Sequence, residues 1–232
     1  MQRIILTLLL GLASLACRAD DGLFTVVRVD VAAQKLRLFW QDDQGRALRR
    51  LDRLAAWLKT QDQQLVFGMN AGMYHADAGP VGLLVIDGRE VAPLNLASGE
   101  GNFFLKPNGV FLISSKGPQV VDAVDYTQVR DGVRYATQSG PMLLKNGEIN
   151  PAFRPSSASR YIRNGVCALG SQVMFVISER PVTFHEFASF FRDELHCKDA
   201  LYLDGFASSL YSPRLERNDH LRELGPLFGV VE

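Results

Sequence analysis

Leu65-Val66-Phe67-Gly68-Met69 runs into Asn70-Ala71-Gly72-Met73-Tyr74, an apolar stretch of strand length that ends on an amide side chain and a small-residue turn. His75-Ala76-Asp77-Ala78-Gly79-Pro80 follows, and the next apolar run, Val81 to Ile86, begins with no amphipathic helix between. Strand, polar turn and strand in succession argue for antiparallel neighbours, because parallel neighbours need a long crossover. Gly68 and Gly72 read as positions where backbone approaches a ligand, since neither carries a Cβ.

The same grammar extends outward on both sides. Upstream, Leu23 to Val29 and Lys35 to Trp40 read as a hairpin, the second strand alternating Leu36, Leu38 and Trp40 with Lys35 and Arg37. From Leu48 to Gln61 the period becomes helical, with Leu51, Leu54, Ala55 and Leu58 on one face. Downstream, Asp87-Gly88 closes a hairpin onto Glu90 to Ala92, and Pro107-Asn108-Gly109 is expected to join Phe103-Phe104-Leu105-Lys106 to Val110 to Ile113. Tyr126 to Arg130 reads as a short helix. Tyr135 to Ser139, Met142 to Leu144, the pair Gly165 to Leu169 and Val173 to Ile177, Ala200 to Leu203 and Leu227 to Val231 read as strands. Thr183-Phe184-His185-Glu186 is a capping box opening a helix to about His196, with Phe184, Phe187, Phe191 and Leu195 as its core stripe. The fold expected is α+β, a single domain with a mixed, largely antiparallel sheet and a few packed helices.

Composition narrows the function classes. Among 232 residues, 25 are basic and 25 acidic with no run of like charge, so no electrostatic footprint for nucleic acid is present. Arg3, the apolar run Ile4 to Leu12 and the small residues that follow form a secretory leader, too short for a membrane span. Residues 1–19 are therefore expected to be a signal peptide and 20–232 a secreted or periplasmic domain, close to neutral once Arg3 and Arg18 are removed. Processing at Cys17 into an anchored lipoprotein is the alternative. An oxidising compartment would allow Cys167 and Cys197 to pair; two separately buried thiols is the other reading. Oligomeric state is not encoded in any readable pattern.

Several catalytic classes are excluded. There is no Gly-x-Ser-x-Gly elbow, no phosphate-binding Gly-x-x-x-x-Gly-Lys loop and no dinucleotide fingerprint. His185-Glu186 begins a zinc-protease motif, yet Ser189 stands where the second histidine belongs. No cofactor is expected, and a divalent metal held through His75 or Asp204 is the minor reading. More informative is the recurrence of polar groups after apolar strands: Asn70, Ser139 and Asp204. If those strands share a sheet and a direction, their ends meet at one cleft, to which Asp204 and Glu100 bring carboxylates and Arg160 and Arg163 bring bidentate donors for an anion such as phosphate.

Taken together and in order, Asn70-Ala71-Gly72-Met73-Tyr74, Ser139-Gly140-Pro141-Met142-Leu143, Arg160 through Asn164-Gly165-Val166, and Leu203-Asp204-Gly205 with Ser208-Ser209 resemble the motifs of the phosphodiester glycosidase family. Gly79 to Leu83 and Gly101 to Phe111 resemble a bacterial periplasmic branch of it. The chain departs from the common pattern at Ala71, around Arg160 and at Phe206. The resemblance implies hydrolysis of a sugar phosphodiester, small or glycan-borne. It implies catalytic roles for Asp204 and Glu100, and substrate contacts from Asn70, Gly72, Asn108, Ser139, Gly140, Arg160, Arg163, Asn164, Gly205 and Ser208. The alternative is an envelope protein that binds such a glycan without cleaving it.

Overall fold

The computed structural model describes the backbone of residues 17–19 and all of residues 22–232; the expected leader and both of its processing sites otherwise lie outside the described residues. Three sheets, whose strand pairings are all antiparallel, enclose one shared core. The seven-stranded sheet runs, edge to edge, Cys17–Ala19, Phe24–Asp30, Gln172–Ser178, Asn164–Leu169, Ala200–Asp204, Met142–Lys145 and Glu148–Ile149. A second sheet orders Arg217–Asn218, Leu210–Ser212, Leu65–Asn70, Leu227–Val231 and Lys35–Phe39. The third orders Arg89–Ala92, Leu84–Ile86, Val133–Ser139, Gly109–Ser114 and Gly117–Asp122. The α+β expectation holds, with sheet dominant.

Phe67, Phe111, Phe175 and Phe228 come from all three sheets and meet in the centre at ring separations of 4.9–6.4 Å. Such contacts bury large aromatic surfaces and fix the sheets' relative placement. Helix Leu51–Lys59 lays Leu51, Leu54, Ala55 and Leu58 on the second sheet. Gly68 serves that packing: a Cβ there would lie 2.8 Å from Leu51 Cδ2, so the space is filled by the helix and not by a ligand. Helix Phe184–Asp193 has the expected capping box, Thr183 Oγ1 accepting from Glu186 N while the Glu186 carboxylate accepts from Thr183 N. Phe187 and Phe191 are buried against the seven-stranded sheet. A disulfide joins Cys167, in that sheet, to Cys197 beyond the helix. Closing a chain segment of 30 residues contributes about 3–4 kcal/mol by loop entropy.

Two expected hairpins are replaced by other pairings. Phe24–Asp30 pairs with Gln172–Ser178, and Lys35–Phe39 pairs with Leu227–Val231. Val27, Val29, Leu36 and Leu38 nevertheless enter the same core; the two strands face it from different sheets, which satisfies the same alternation that a hairpin would. Residues 102–104 form a 3-10 turn and not a strand. Pro107 has no N–H for a ladder, and the Asn108 side chain instead donates to Phe103 O at 3.1 Å. Gly109–Ser114 takes Gly117–Asp122 as its hairpin partner.

Candidate active site

Asn70, Ser139 and Asp204 end strands of three different sheets. The sequence made their convergence conditional on a shared sheet, yet their ends meet without one. The Ser139 hydroxyl donates to Leu203 O at 3.1 Å, tying the third sheet to the first. Asn164 Nδ2 donates to Asn70 Oδ1 at 2.9 Å, and Asn70 Nδ2 donates back to Asn164 Oδ1 at 3.3 Å, tying the first to the second. Asn70 Oδ1 also accepts from Ser209 N at 2.9 Å. Asn70, Ser139 and Asn164 have no solvent exposure, so their amide and hydroxyl groups serve the junction and each is satisfied there. Gly72 belongs to the same joint: its φ is 144°, and a Cβ would stand 3.0 Å from Thr137 Oγ1.

Asp204 stands at the top of this junction. Asn164 is its strand partner, and the chain after it turns back so that Oδ1 accepts from Gly205 N at 2.6 Å and Phe206 N at 2.9 Å, with the Ala207 N–H also facing the carboxylate. Three N–H groups favour the ionised form, but burial outweighs them and raises the carboxyl's pKa above its ordinary value. The turn is held from behind. The Ser208 hydroxyl lies within 3.2 Å of Ile162 O, Asn164 Oδ1 and Asp204 O. A Cβ on Gly205 would come within 2.0 Å of Tyr202 Oη, which only a glycine avoids.

Arg160 and Arg163 have separate fates. Arg163 is 1 % exposed, with Nε donating to Val182 O at 2.9 Å, one terminal nitrogen to Tyr202 Oη at 3.3 Å and the other to Ser159 O at 3.2 Å. Its guanidinium lies 3.7 Å from the centre of the Phe184 ring. Desolvation lowers its pKa from the ordinary value; the cation is held by carbonyls, the Tyr202 hydroxyl and ring faces, and among the described residues no carboxylate pairs with it. Arg160 lies on the surface, paired with Glu186 at 2.7 Å.

A cleft of about 470 Å³ opens over Asp204. One wall is Met73, Tyr74, His75, Ala76 and Val81; the other is residues 100–104, including Glu100 and Asn102; Asp204 and Phe206 complete it. Thus both expected carboxylates, Asp204 and Glu100, line one cavity, as does His75. Arg160, Arg163, Asn108 and Gly140 do not line it. Asn108 and Gly140 instead shape the second wall, for a Cβ on Gly140 would sit 2.7 Å from Phe103 O. Among the described residues no group of three or more His, Cys, Asp or Glu side chains is placed to hold a metal ion.

Sequence reasoning quoted Tyr74 and Phe206 within motifs but gave neither of them, nor Gln138, a role of its own in the site. The Tyr74 hydroxyl donates to Glu223 O at 2.5 Å, and burial, with the Asp204 charge nearby, pushes its pKa up to about 12. Gln138 is buried, its Oε1 accepting from Leu83 N at 3.0 Å and Asn95 N at 2.9 Å while Nε2 donates to Asn95 O at 2.7 Å. It staples the loop bearing Glu100 to the third sheet. A large apolar residue inside the polar turn Asp204-Gly205-Phe206-Ala207-Ser208 was the legible sign of an exposed aromatic.

The sequence pattern of the phosphodiester glycosidase family matches residues 63–230, a span that contains every element of this junction, and the chain belongs to that family. It is 36% identical over 218 residues to the uncharacterized protein YigE of Escherichia coli K12, covering 91% of this chain and 85% of that one. Among solved structures it is similar in fold to the catalytic domain of zebrafish N-acetylglucosamine-1-phosphodiester α-N-acetylglucosaminidase, auto-inhibited by its pro-peptide. The TM-score is 0.65 at 14% identity, over 94% of this chain and 81% of that domain. A hypothetical protein from Synechocystis gives 0.58 at 13% identity over 90% of this chain and 59% of the other. A putative exported protein of Burkholderia pseudomallei gives 0.54 at 11% identity over 89% and 73%.

Proposed function

We propose that this protein hydrolyses the glycosidic bond of a sugar phosphodiester, and does so outside the cytoplasm. The observation that carries the reading is that Glu100 and the buried Asp204 both line a cleft large enough for a sugar, at a junction within the span that the family pattern matches. Water adds to the anomeric carbon, the bond from that carbon to the phosphate oxygen breaks, and the oxygen leaves on the phosphate monoester. That leaving group departs without full protonation, so the reaction needs chiefly a base for water and a charge to stabilise the oxocarbenium-like sugar. Asp204, whose proton affinity is raised by burial, acts as the base or stabiliser with Glu100 across the cleft. Asn70, Ser139, Asn164, Gly205 and Ser208 hold Asp204 in place, and Arg163 supports them from below. The leader read in the sequence and the Cys167–Cys197 disulfide support export to an oxidising compartment.

The test incubates purified protein with N-acetylglucosamine 1-(methyl phosphate) and related hexose 1-phosphodiesters in ¹⁸O-water, with nitrophenyl glycosides and bis-nitrophenyl phosphate as controls. The expected products are free sugar carrying the label and unlabelled methyl phosphate. Asp204→Asn should lower the rate by roughly 10²–10⁴-fold, and Glu100→Gln by a smaller factor. Label in the phosphate would assign phosphodiesterase chemistry, and ligand-induced stabilisation with no product would assign a binding protein.

A further inference from the structure

The cleft has an unbalanced charge. Its lining includes two carboxylates, Asp204 and Glu100, but no lysine or arginine, whereas the substrate class proposed above carries a phosphodiester anion. An anion entering a partly desolvated, acidic cleft requires a cation at the place where its charge comes to rest. Arg163 is enclosed by its carbonyl and aromatic partners, and Arg160 is engaged with Glu186. Neither reaches into the cavity. Arg49 pairs with Glu223 at 2.6 Å, and Arg50 pairs with Asp52.

Arg222 is different. It is exposed, its guanidinium lies 4.5 Å from the centre of the Phe206 ring, and among the described residues no carboxylate forms an ion pair with it. Phe206 lines the cleft, and the Arg222 charge also acts on Tyr74, another residue of its lining. The segment that carries Arg222 is anchored at the cleft by Tyr74 Oη donating to Glu223 O, and by Leu224 N donating to Arg49 O at 2.7 Å. Phe206 itself is 72 % exposed, so most of its ring surface is open to a ligand at the mouth of the cleft. Its backbone is tied to Asp204, because its N–H donates to the Asp204 carboxylate. The ring has two faces, and Arg222 uses one.

We propose that Phe206 and Arg222 form the leaving-group subsite: Arg222 receives the phosphate of the bound diester, and the open face of Phe206 stacks on the apolar or aromatic face of the alcohol beyond it. This rests on the sugar phosphodiester reading of the site. It places the sugar over Asp204, the phosphate at the rim and the alcohol outside the cleft. Guanidinium and phosphate pair through parallel N–H donors, and an aromatic ring adjoining the pair rewards an aromatic or flat leaving group over a small one.

The experiment compares N-acetylglucosamine 1-(methyl phosphate) with its 1-(benzyl phosphate) on parent, Arg222→Ala, Arg222→Lys and Phe206→Ala, each first shown to retain the parental melting temperature. Arg222→Ala should raise KM for both diesters about 10- to 100-fold while kcat moves less, and Arg222→Lys should recover part of the loss. Inhibition by benzyl phosphate should weaken in Arg222→Ala, while inhibition by free N-acetylglucosamine stays as in the parent. Phe206→Ala should erase the preference for benzyl over methyl. A parental KM in Arg222→Ala, or equal weakening of phosphate and sugar inhibition, overturns the subsite and leaves the hydrolytic reading standing. If the parent cleaves neither diester, calorimetric titration with benzyl phosphate decides. Binding that Arg222→Ala abolishes supports the subsite while the hydrolytic reading falls, and no binding, or binding that the variant keeps, overturns the subsite as well.

Discussion

On one side of the cleft, Asp204 rises from a strand end clasped by two other sheets, where Asn70, Asn164, Ser139 and Ser209 exchange hydrogen bonds with almost no solvent contact. On the other side, Glu100 rides on residues 95–104, exposed over most of their length and lacking any strand. That loop is held by two side chains: Gln138, from a strand of the third sheet, at Asn95, and Asn108, just before the strand Gly109–Ser114, at Phe103. The buried wall keeps a carboxyl in a fixed place where its proton affinity is altered. The stapled wall can yield to let a substrate in and still return Glu100 to the same position. Local opening costs least where few apolar contacts would be broken, so residues 95–104 are expected to open before the buried wall does.

The contrast breaks first at Arg163. If the buried wall is a rigid unit, Arg163→Ala removes the support beneath it, takes the guanidinium donors from Ser159 O and Tyr202 Oη while Val182 O keeps only Tyr161 N, and leaves a cavity under Phe184. The expected cost is about 3 kcal/mol, read as a fall in the denaturant midpoint at unchanged slope. Arg160→Ala, three residues earlier in sequence, removes one surface ion pair with Glu186 and should cost less than about 1 kcal/mol. Equal losses from the two would show that Arg163 supports nothing beyond itself.

The difference between those arginines also shows where sequence reading stops. Both carry the same charge in one short polar stretch, and both were expected at the anion. Burial separates them, and burial here depends on Phe184 and Tyr202 arriving from distant elements. Local patterns were sufficient for the capping box at Thr183, the helix at Leu51–Lys59 and the turn at Asp87-Gly88, where Asp87 and Gly88 both have positive φ. They were insufficient for pairings between sheets: Leu36 and Leu38 alternate with Lys35 and Arg37 whether their partner is Phe24–Asp30 or Leu227–Val231. Convergence of Asn70, Ser139 and Asp204 was legible because each polar residue closes an apolar strand. That they close strands of three separate sheets was not, because strand order is set by long-range packing. Phe206 could be singled out as an apolar residue in a polar turn, but Arg222 has no local motif and becomes visible only through the ring it covers.

A smaller effect tests the stapled wall. Gln138→Ala leaves Leu83 N and Asn95 N without their shared acceptor, and the Asn95 amide gains access to water when the loop lifts. Stability should drop by roughly 1–2 kcal/mol. Amide exchange should quicken across residues 95–104 and stay slow at Asn164 and Asp204. Turnover should fall about tenfold, since Glu100 loses its fixed position. Uniform quickening in both walls would mean that they form one cooperative unit and that the distinction drawn here does not exist.

The smallest expected change is the most informative about the buried wall, and it turns on pH. Burial raises the Asp204 pKa above its ordinary 3.8 in the folded chain, so the folded state holds this proton more tightly than the unfolded state. Between the ordinary value and the folded one, the folded state carries more proton, and stability therefore declines as pH rises through that window. Below it both states are protonated and the penalty vanishes. Asp204→Asn keeps an acceptor for Gly205 N and Phe206 N but has no charge to desolvate. At neutral pH the variant should melt above the parent, by roughly 2–4 °C for each kcal/mol of penalty removed. The two melting curves should converge as pH is lowered past the ordinary carboxylate range, and the variant should stay roughly 10²–10⁴-fold slower than the parent. A variant less stable than the parent at neutral pH would mean that the three N–H groups stabilise the carboxylate by more than burial costs it. The acid limb of the parent's activity would then have to lie at or below the ordinary carboxylate pKa, whereas a dominant burial penalty places that limb above it.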